Sequence, residues 1–226
     1  IAWIDKSGML KVGPQSAGAE PGPACYPGGG QAPTVTDADL TLGWLNPDYF
    51  LGGKVRLDPS AAARAITQKV AEPLGLDSIA AANGIVKIVN SQMVEALRLV
   101  TVSRGEDPRQ YVLVAFGGAG PVHAAQLAEE LKIPRVLVPP FPGLASAMGL
   151  LVSDLKRDYV QTRFADLEAV TASEVQERFE AMEAAARQEF EAQGISPDRI
   201  QHERALDLRY SIQKYDLPVS VAGRGV

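Results

Sequence analysis

An α/β fold is predicted by three features of the sequence. Two short apolar runs, Tyr111 to Phe116 and Arg135 to Val138, flank a glycine turn and a helical segment, which is the pattern of a βαβ unit. A long segment ahead of them, from Asp77 or Ser78 to about Ser103, carries apolar residues at three- and four-residue spacings. Behind them, a further amphipathic helix leads into alternating strand-like segments. With 226 residues, 46% hydrophobic and 22% charged, the chain has enough apolar surface for one to two domains.

The elements follow in order. Ile1-Ala2-Trp3-Ile4-Asp5 and Met9-Leu10-Lys11-Val12 flank Lys6-Ser7-Gly8 and read as a β-hairpin. From Val12 to Pro33, Gly and Pro are too dense for any regular element, and Cys25 and Tyr26 at the centre argue for a functional loop over a flexible linker. Asp58 before Pro59 caps a helix over about 59–72, closed by Pro73 and Gly75. The long helix then buries one face made of Ile79, Ala82, Ile85, Val89, Met93, Ala96, Leu97 and Val100, and Gly105 and Pro108 end it.

The run 111–116 is expected as a strand buried on both faces, followed by Gly117-Gly118-Ala119-Gly120-Pro121, a helix over about 122–132 and a second buried strand at 135–138. Leu144 to Ser153 reads as a helix and Tyr159 to Phe164 as a strand. Between Arg163 and Arg204 the ten acidic and five basic residues account for the whole net charge of −5. Within that window Thr171 and Glu174 form a capping box for a helix with Val175, Phe179, Met182, Ala186 and Phe190 on one face, terminated by Gly194. Ala205 to Tyr210 and Leu217 to Val221 read as strands.

Composition narrows the function. No apolar run approaches the ~18 residues of a membrane span, and the first residues lack the features of a signal peptide. The acidic balance and the lack of a basic stripe argue against nucleic acid as a partner. A single cysteine suits a reducing cytosol, so a cytoplasmic location is expected. The chain opens on Ile1, in what reads as mid-strand, and is expected to be a piece of a longer protein.

Chemistry is suggested at four places. Glycines between a buried strand and a helix start let a ligand approach the backbone, and free amides there favour an anion or a polar ring edge. A nucleotide suits Gly117 to Pro121, although neither the dinucleotide fingerprint nor a P-loop is matched and the glycines also suit a plain tight turn. His123, near the start of that helix, suits a neutral hydrogen-bonding role or a buried structural one. Cys25 is a possible nucleophile without a visible activating neighbour. Asp37 and Asp39 suit magnesium binding or base catalysis, but helix capping is the favoured reading. Two histidines and one cysteine make no convincing zinc site.

Four segments together carry a family resemblance: Gly13 to Tyr26, Pro33 to Ala38, Leu45 to Gly53 and Phe116 to Ala124. In this order they strongly resemble the hydantoinase A family, which includes N-methylhydantoinase A, ATP-dependent 5-oxoprolinase and a subunit of acetone carboxylase. The resemblance is close over about residues 1–160 and looser beyond. It implies an actin-like lobe, as in sugar kinases and chaperone ATPases, over 1–160, and the start of a third α+β region over 161–226. Gly117, Gly118, Ala119, Gly120 and Pro121 would then hold the adenosine of ATP, with Mg2+ at its phosphates. Asp37, His123 and Cys25 are the catalytic candidates, and no metal ligand is assigned.

For the parent protein the family implies ATP-driven opening of a cyclic amide such as a hydantoin or 5-oxoproline, with a hydantoinase B type partner. The alternatives are a ketone carboxylase subunit, a non-catalytic lobe that docks such a partner, or a sugar or glycerol kinase relative. The family's Asp-Gly-Gly-Thr type turn is absent, and its second phosphate hairpin normally stands just before the segment matching Ile1 to Asp5. The chain alone is therefore expected to be inactive. Ile212, in a segment where the family is expected to carry a Gly, departs from the pattern.

Overall fold

The computed structural model describes residues 1–221, which divide into two compact units, one over Ile1–Ser153 and one from Asp154 onward. The fold is mixed α/β.

In the first unit, β1 (Ala2–Ile4) and β2 (Leu10–Val12) pair antiparallel, with Ala2 opposite Val12. Asp5 closes the turn by accepting from the Ser7 and Met9 backbone N–H groups. No helix or strand forms from Gly13 to Thr34, and the loop is nonetheless tightly wound. A Cβ on Gly29 would stand 2.0 Å from the Pro23 carbonyl oxygen, so only glycine fits there.

Helix α1 (Val35–Thr41) begins earlier than the sequence suggested. Thr34 is its N-cap and Asp37 its third residue, so neither Asp37 nor Asp39 is the cap. Asp58 caps α2 (Pro59–Ile66), with Pro59 in the first turn. The helix does not stop at Pro73. It widens into a π turn (Thr67–Ala71) and continues as α3 (Glu72–Leu74) to the left-handed Gly75. An α-helical turn would set the Pro73 ring against the carbonyl of Lys69, and the wider turn stands just before that clash.

Asp77 caps α4 (Ser78–Val100). Its buried face is Ala81, Ala82, Ile85, Val86, Asn90 and Val94, while the expected Ile79 and Val100 are exposed. Residue type extends the apolar stripe to both helix ends, whereas burial follows the helices packed alongside. One core cluster joins Ala2 and Val12 of the hairpin to Ala38, Ile66, Val70, Ala81, Ala82, Ile85 and Val86. Its alanines let α1, α2 and α4 approach closely, and burial of each Ile or Val side chain there contributes about 1.5–3 kcal/mol.

Strands β3 (Leu113–Val114) and β4 (Val136–Leu137) pair in parallel across α5 (Gly120–Leu131), which is the expected βαβ unit. Neither strand is buried on both faces: Val112, Val114, Phe116, Val136, Leu137 and Val138 are exposed. Leu113 nevertheless packs with Val94, Leu127 and Leu131, which ties the strand to α4 and α5. Helix α6 (Ala145–Val152) follows a single 3-10 turn and buries no residue.

The second unit contains α7 (Ala172–Ala192) and an antiparallel hairpin of β5 (Ala205–Leu208) and β6 (Leu217–Ser220). Thr171 Oγ1 accepts from the Glu174 N–H as expected, while the Glu174 carboxylate is engaged by Arg163 and Arg178. The strand expected at 159–164 does not form. The Tyr159 hydroxyl and Arg157 instead bind the Glu189 carboxylate, so side-chain contacts rather than a ladder hold this segment on α7. Among the described residues no helix is long and apolar enough to cross a membrane.

Candidate functional site

Asp37 is wholly buried and accepts four hydrogen bonds. Its Oδ1 takes the Cys25 N–H at 2.8 Å, and its Oδ2 takes the Ala24 N–H at 3.1 Å, the Thr34 N–H at 2.8 Å and the Thr34 hydroxyl at 2.7 Å. A loop too rich in Gly and Pro to pair with itself thus satisfies its amides on one carboxylate. Cys25 is fully buried beside Leu40, Leu57 and Ala62. Burial pushes its thiol well above the usual range, and the Asp37 charge and a hydrogen bond with Asp37 add to the shift. The Cys25 carbonyl accepts the Asp58 N–H at 2.9 Å, which links this loop to the start of α2.

The glycine turn lies between β3 and α5. Gly117 alone of its glycines is left-handed, with φ +87°, and its N–H donates to the Pro142 carbonyl at 2.9 Å. A Cβ on Gly118 or Gly120 would meet nothing within 4 Å, and neither has a left-handed backbone. Backbone conformation and packing among the described residues therefore leave these two glycines unexplained. No side chain caps α5 at Ala119, so the first amides of the helix receive no side-chain cap, and Pro121 sits in its first turn.

His123 is the fourth residue of α5 and only 1% exposed. Its Nε2 lies 3.5 Å from Oδ2 of Asp39, which is 2% exposed on α1. Asp39 Oδ1 and both imidazole nitrogens lack a hydrogen-bond partner among the described residues, as do Thr41 Oγ1 and Asn90 Oδ1. The Trp44 and His123 rings stand T-shaped with centroids 6.4 Å apart, and the Trp44 backbone N–H donates to the Asp39 carbonyl at 2.9 Å. Asn90 on α4 donates through Nδ2 to Gln126 Oε1 on α5. The structure thus brings Asp37 to Cys25, and Asp39 to His123. Asp39's partner, Asn90 and Gln126 were missed, because pairing across helices far apart in sequence leaves no local signal.

The hydantoinase/oxoprolinase family profile matches residues 1–159. The chain belongs to this family. It is 41% identical over 230 residues to the caprolactamase subunit alpha of Pseudomonas jessenii, covering 98% of this chain and 32% of that protein. It is 41% identical over 221 residues to the acetophenone carboxylase gamma subunit of Aromatoleum aromaticum, covering 94% of this chain and 30% of that one. The crystal structure of the ATP-dependent caprolactamase from Pseudomonas jessenii superposes with a TM-score of 0.73 at 39% identity, over 99% of this chain and 33% of that chain. This family member therefore spans about a third of the length of such relatives.

The residues that could hold a nucleotide are those of the open turn, Gly117 to Pro121. No group of three or more His, Cys, Asp or Glu side chains among the described residues could hold a metal ion.

Proposed function

We propose that this family member is part of an ATP-dependent hydrolase of cyclic amides, of the hydantoinase or 5-oxoprolinase type, and that its glycine turn takes the adenosine of ATP. The observation that carries the reading is the pair Gly118 and Gly120: open space surrounds both, and neither needs a left-handed backbone, so a ligand in contact with the main chain is what accounts for them. No side chain caps the start of α5, so the Gly120 amide adds a hydrogen-bond donor for such a ligand, whereas Pro121 has no N–H and the Val122 N–H donates to the Ala119 carbonyl. Likeness to an ATP-dependent caprolactamase at 39% identity supports the same reading.

Within this reading residues 1–160 are an actin-like lobe and 161–226 begin a third region. ATP, when bound, supplies a phosphoryl group that turns an amide oxygen into a better leaving group, and the protein contributes positioning and charge neutralisation. The chain's own residues do the positioning. Asp37 shapes the loop around Cys25, and the turn receives the nucleotide. Mg2+ belongs to the phosphate end of the site, and no residue described here is assigned to it. A hydantoinase B type partner and a cytoplasmic location complete the proposal. Residues 1–226 alone are expected to turn over nothing.

A second reading, a ketone carboxylase subunit, is favoured by the equal 41% identity to the acetophenone carboxylase gamma subunit. The deciding experiment is ATP hydrolysis by the full-length polypeptide with its partner subunit, assayed with 5-oxoproline, a hydantoin, a lactam, or a ketone with bicarbonate. Stimulation by a cyclic amide supports the hydrolase; stimulation only by ketone and bicarbonate replaces it with the carboxylase. Calorimetry with ADP, comparing Gly118→Val with the unmodified protein, tests the turn itself. Unchanged ADP affinity in the variant would remove the turn from the nucleotide site.

A further inference from the structure

We infer that Asp39 is a positioning residue for the glycine turn and acts through His123, an inference that deepens the nucleotide reading above and rests on it. The pair joins two elements far apart in sequence, α1 and α5, and both side chains are almost wholly withdrawn from solvent. A carboxylate in such a place needs a donor, and its Oδ1 has none among the described residues. The imidazole, whose Nε2 lies 3.5 Å from the other carboxylate oxygen, Oδ2, and is equally without a hydrogen-bond partner, is the group placed to serve the carboxylate. Neither member has a competing bond that would compensate if the other moved.

His123 stands three residues beyond Gly120 on the same rigid helix, so the place of its ring sets where the amides at the helix start point. Asp39 is itself held. Its helix is anchored through Thr34 and Asp37 to the Cys25 loop, and its backbone carbonyl takes the Trp44 backbone N–H at 2.9 Å while the Trp44 ring flanks the imidazole. The loop motif and the glycine turn are thereby mechanically joined through one buried pair. At 1% exposure His123 is placed to hold rather than to touch substrate.

The test uses the full-length polypeptide with its partner subunit and five variants: Asp39→Asn, His123→Leu, His123→Gln, the double Asp39→Asn/His123→Leu, and Ile66→Val as a control that loosens the core cluster shared with α1 without altering either side chain of the pair. Two readouts are taken: ADP affinity by calorimetry, and hydrogen exchange of the peptide spanning 116–124. Asp39→Asn and His123→Leu are each expected to weaken ADP about tenfold and to speed exchange in that peptide. The double variant should be no worse than the poorer single one. His123→Gln keeps a donor near the Nε2 position and should recover much of both readouts, whereas Ile66→Val should lower stability and move neither. If Asp39→Asn fails to fold, the contrast between His123→Leu and His123→Gln carries the same test. Normal affinity and normal exchange in Asp39→Asn, or additive losses in the double variant, would overturn the inference. If the unmodified protein binds no ADP, the nucleotide reading fails, while the exchange data still decide whether Asp39 holds the turn.

Discussion

Thr34 and Asp37 cap each other: the Thr34 hydroxyl donates to Asp37 Oδ2 at 2.7 Å, and the Asp37 N–H donates back to Thr34 Oγ1 at 3.2 Å. The reciprocal pair starts α1 and, through the same carboxylate, fixes the backbone of Ala24 and Cys25. One side chain therefore serves a helix terminus and a loop that lacks any ladder of its own.

Replacing Asp37 by Ala leaves the amides of Ala24, Cys25 and Thr34 buried without an acceptor. The expected loss is about 3–5 kcal/mol, read as a lower urea midpoint or as loss of soluble protein. A loss below about 1 kcal/mol would mean that water replaces the carboxylate, and that the buried knot is not what holds the loop.

Cys25 should behave as a packed thiol. Its folded value is raised, so its stabilising contribution is complete below the unfolded value of about 8.5 and is lost as pH climbs above that. Stability of the unmodified protein should then fall more steeply above about pH 8.5 than that of Cys25→Ala, by up to ~1.4 kcal/mol per pH unit. Parallel alkaline profiles, or rapid labelling of the folded protein by iodoacetamide at neutral pH, would contradict this placement.

Gly118→Val separates ligand from fold. Open space awaits the added side chain, so urea stability should change by less than about 1 kcal/mol while ADP affinity falls about tenfold or more. A large drop in stability would show that the glycine serves the turn itself.

In the second unit, the Arg204 guanidinium meets Glu183 with two hydrogen bonds, Nε to Oε1 at 2.5 Å and Nη2 to Oε2 at 2.9 Å, and lies 5.3 Å from the Phe179 ring centre. Its hydrogen bonds hold the Glu183 carboxyl below the usual carboxylate range. Lysine cannot reproduce the fork, so Arg204→Lys should lower the urea midpoint near neutral pH. The difference should shrink in acid, as Glu183 protonates in both proteins. An equal difference at every pH would assign the effect to packing on Phe179.

Local chemistry made much of this fold legible. Asp58 before Pro59, Asp77 ahead of Ser78, Thr171, Gly75 and Gly194 mark termini because each supplies a cap or a backbone conformation from its own side chain or lack of one. Pro73 misled because a π turn accommodates it, which no residue type announces. Residues 159–164 read as a strand but are held by Tyr159 and Arg157 on Glu189, a choice made by tertiary contacts. The loop and glycine motifs were visible as motifs. That Asp37 serves Cys25, and Asp39 serves His123, became visible only when the helices were brought side by side.

The pair β3 and β4 has a practical consequence. Two parallel strands with exposed Val114 and Leu137, flanked by exposed Val112, Phe116 and Val138, and followed by α6 with Leu151 at 86% exposure, present strand edges unpaired among the described residues together with greasy side chains. Such a surface recruits further strands indiscriminately. Expressed as residues 1–226, the polypeptide should self-associate at high concentration, and charged substitutions at Val114 and Leu151 should be the shortest route to a well-behaved sample.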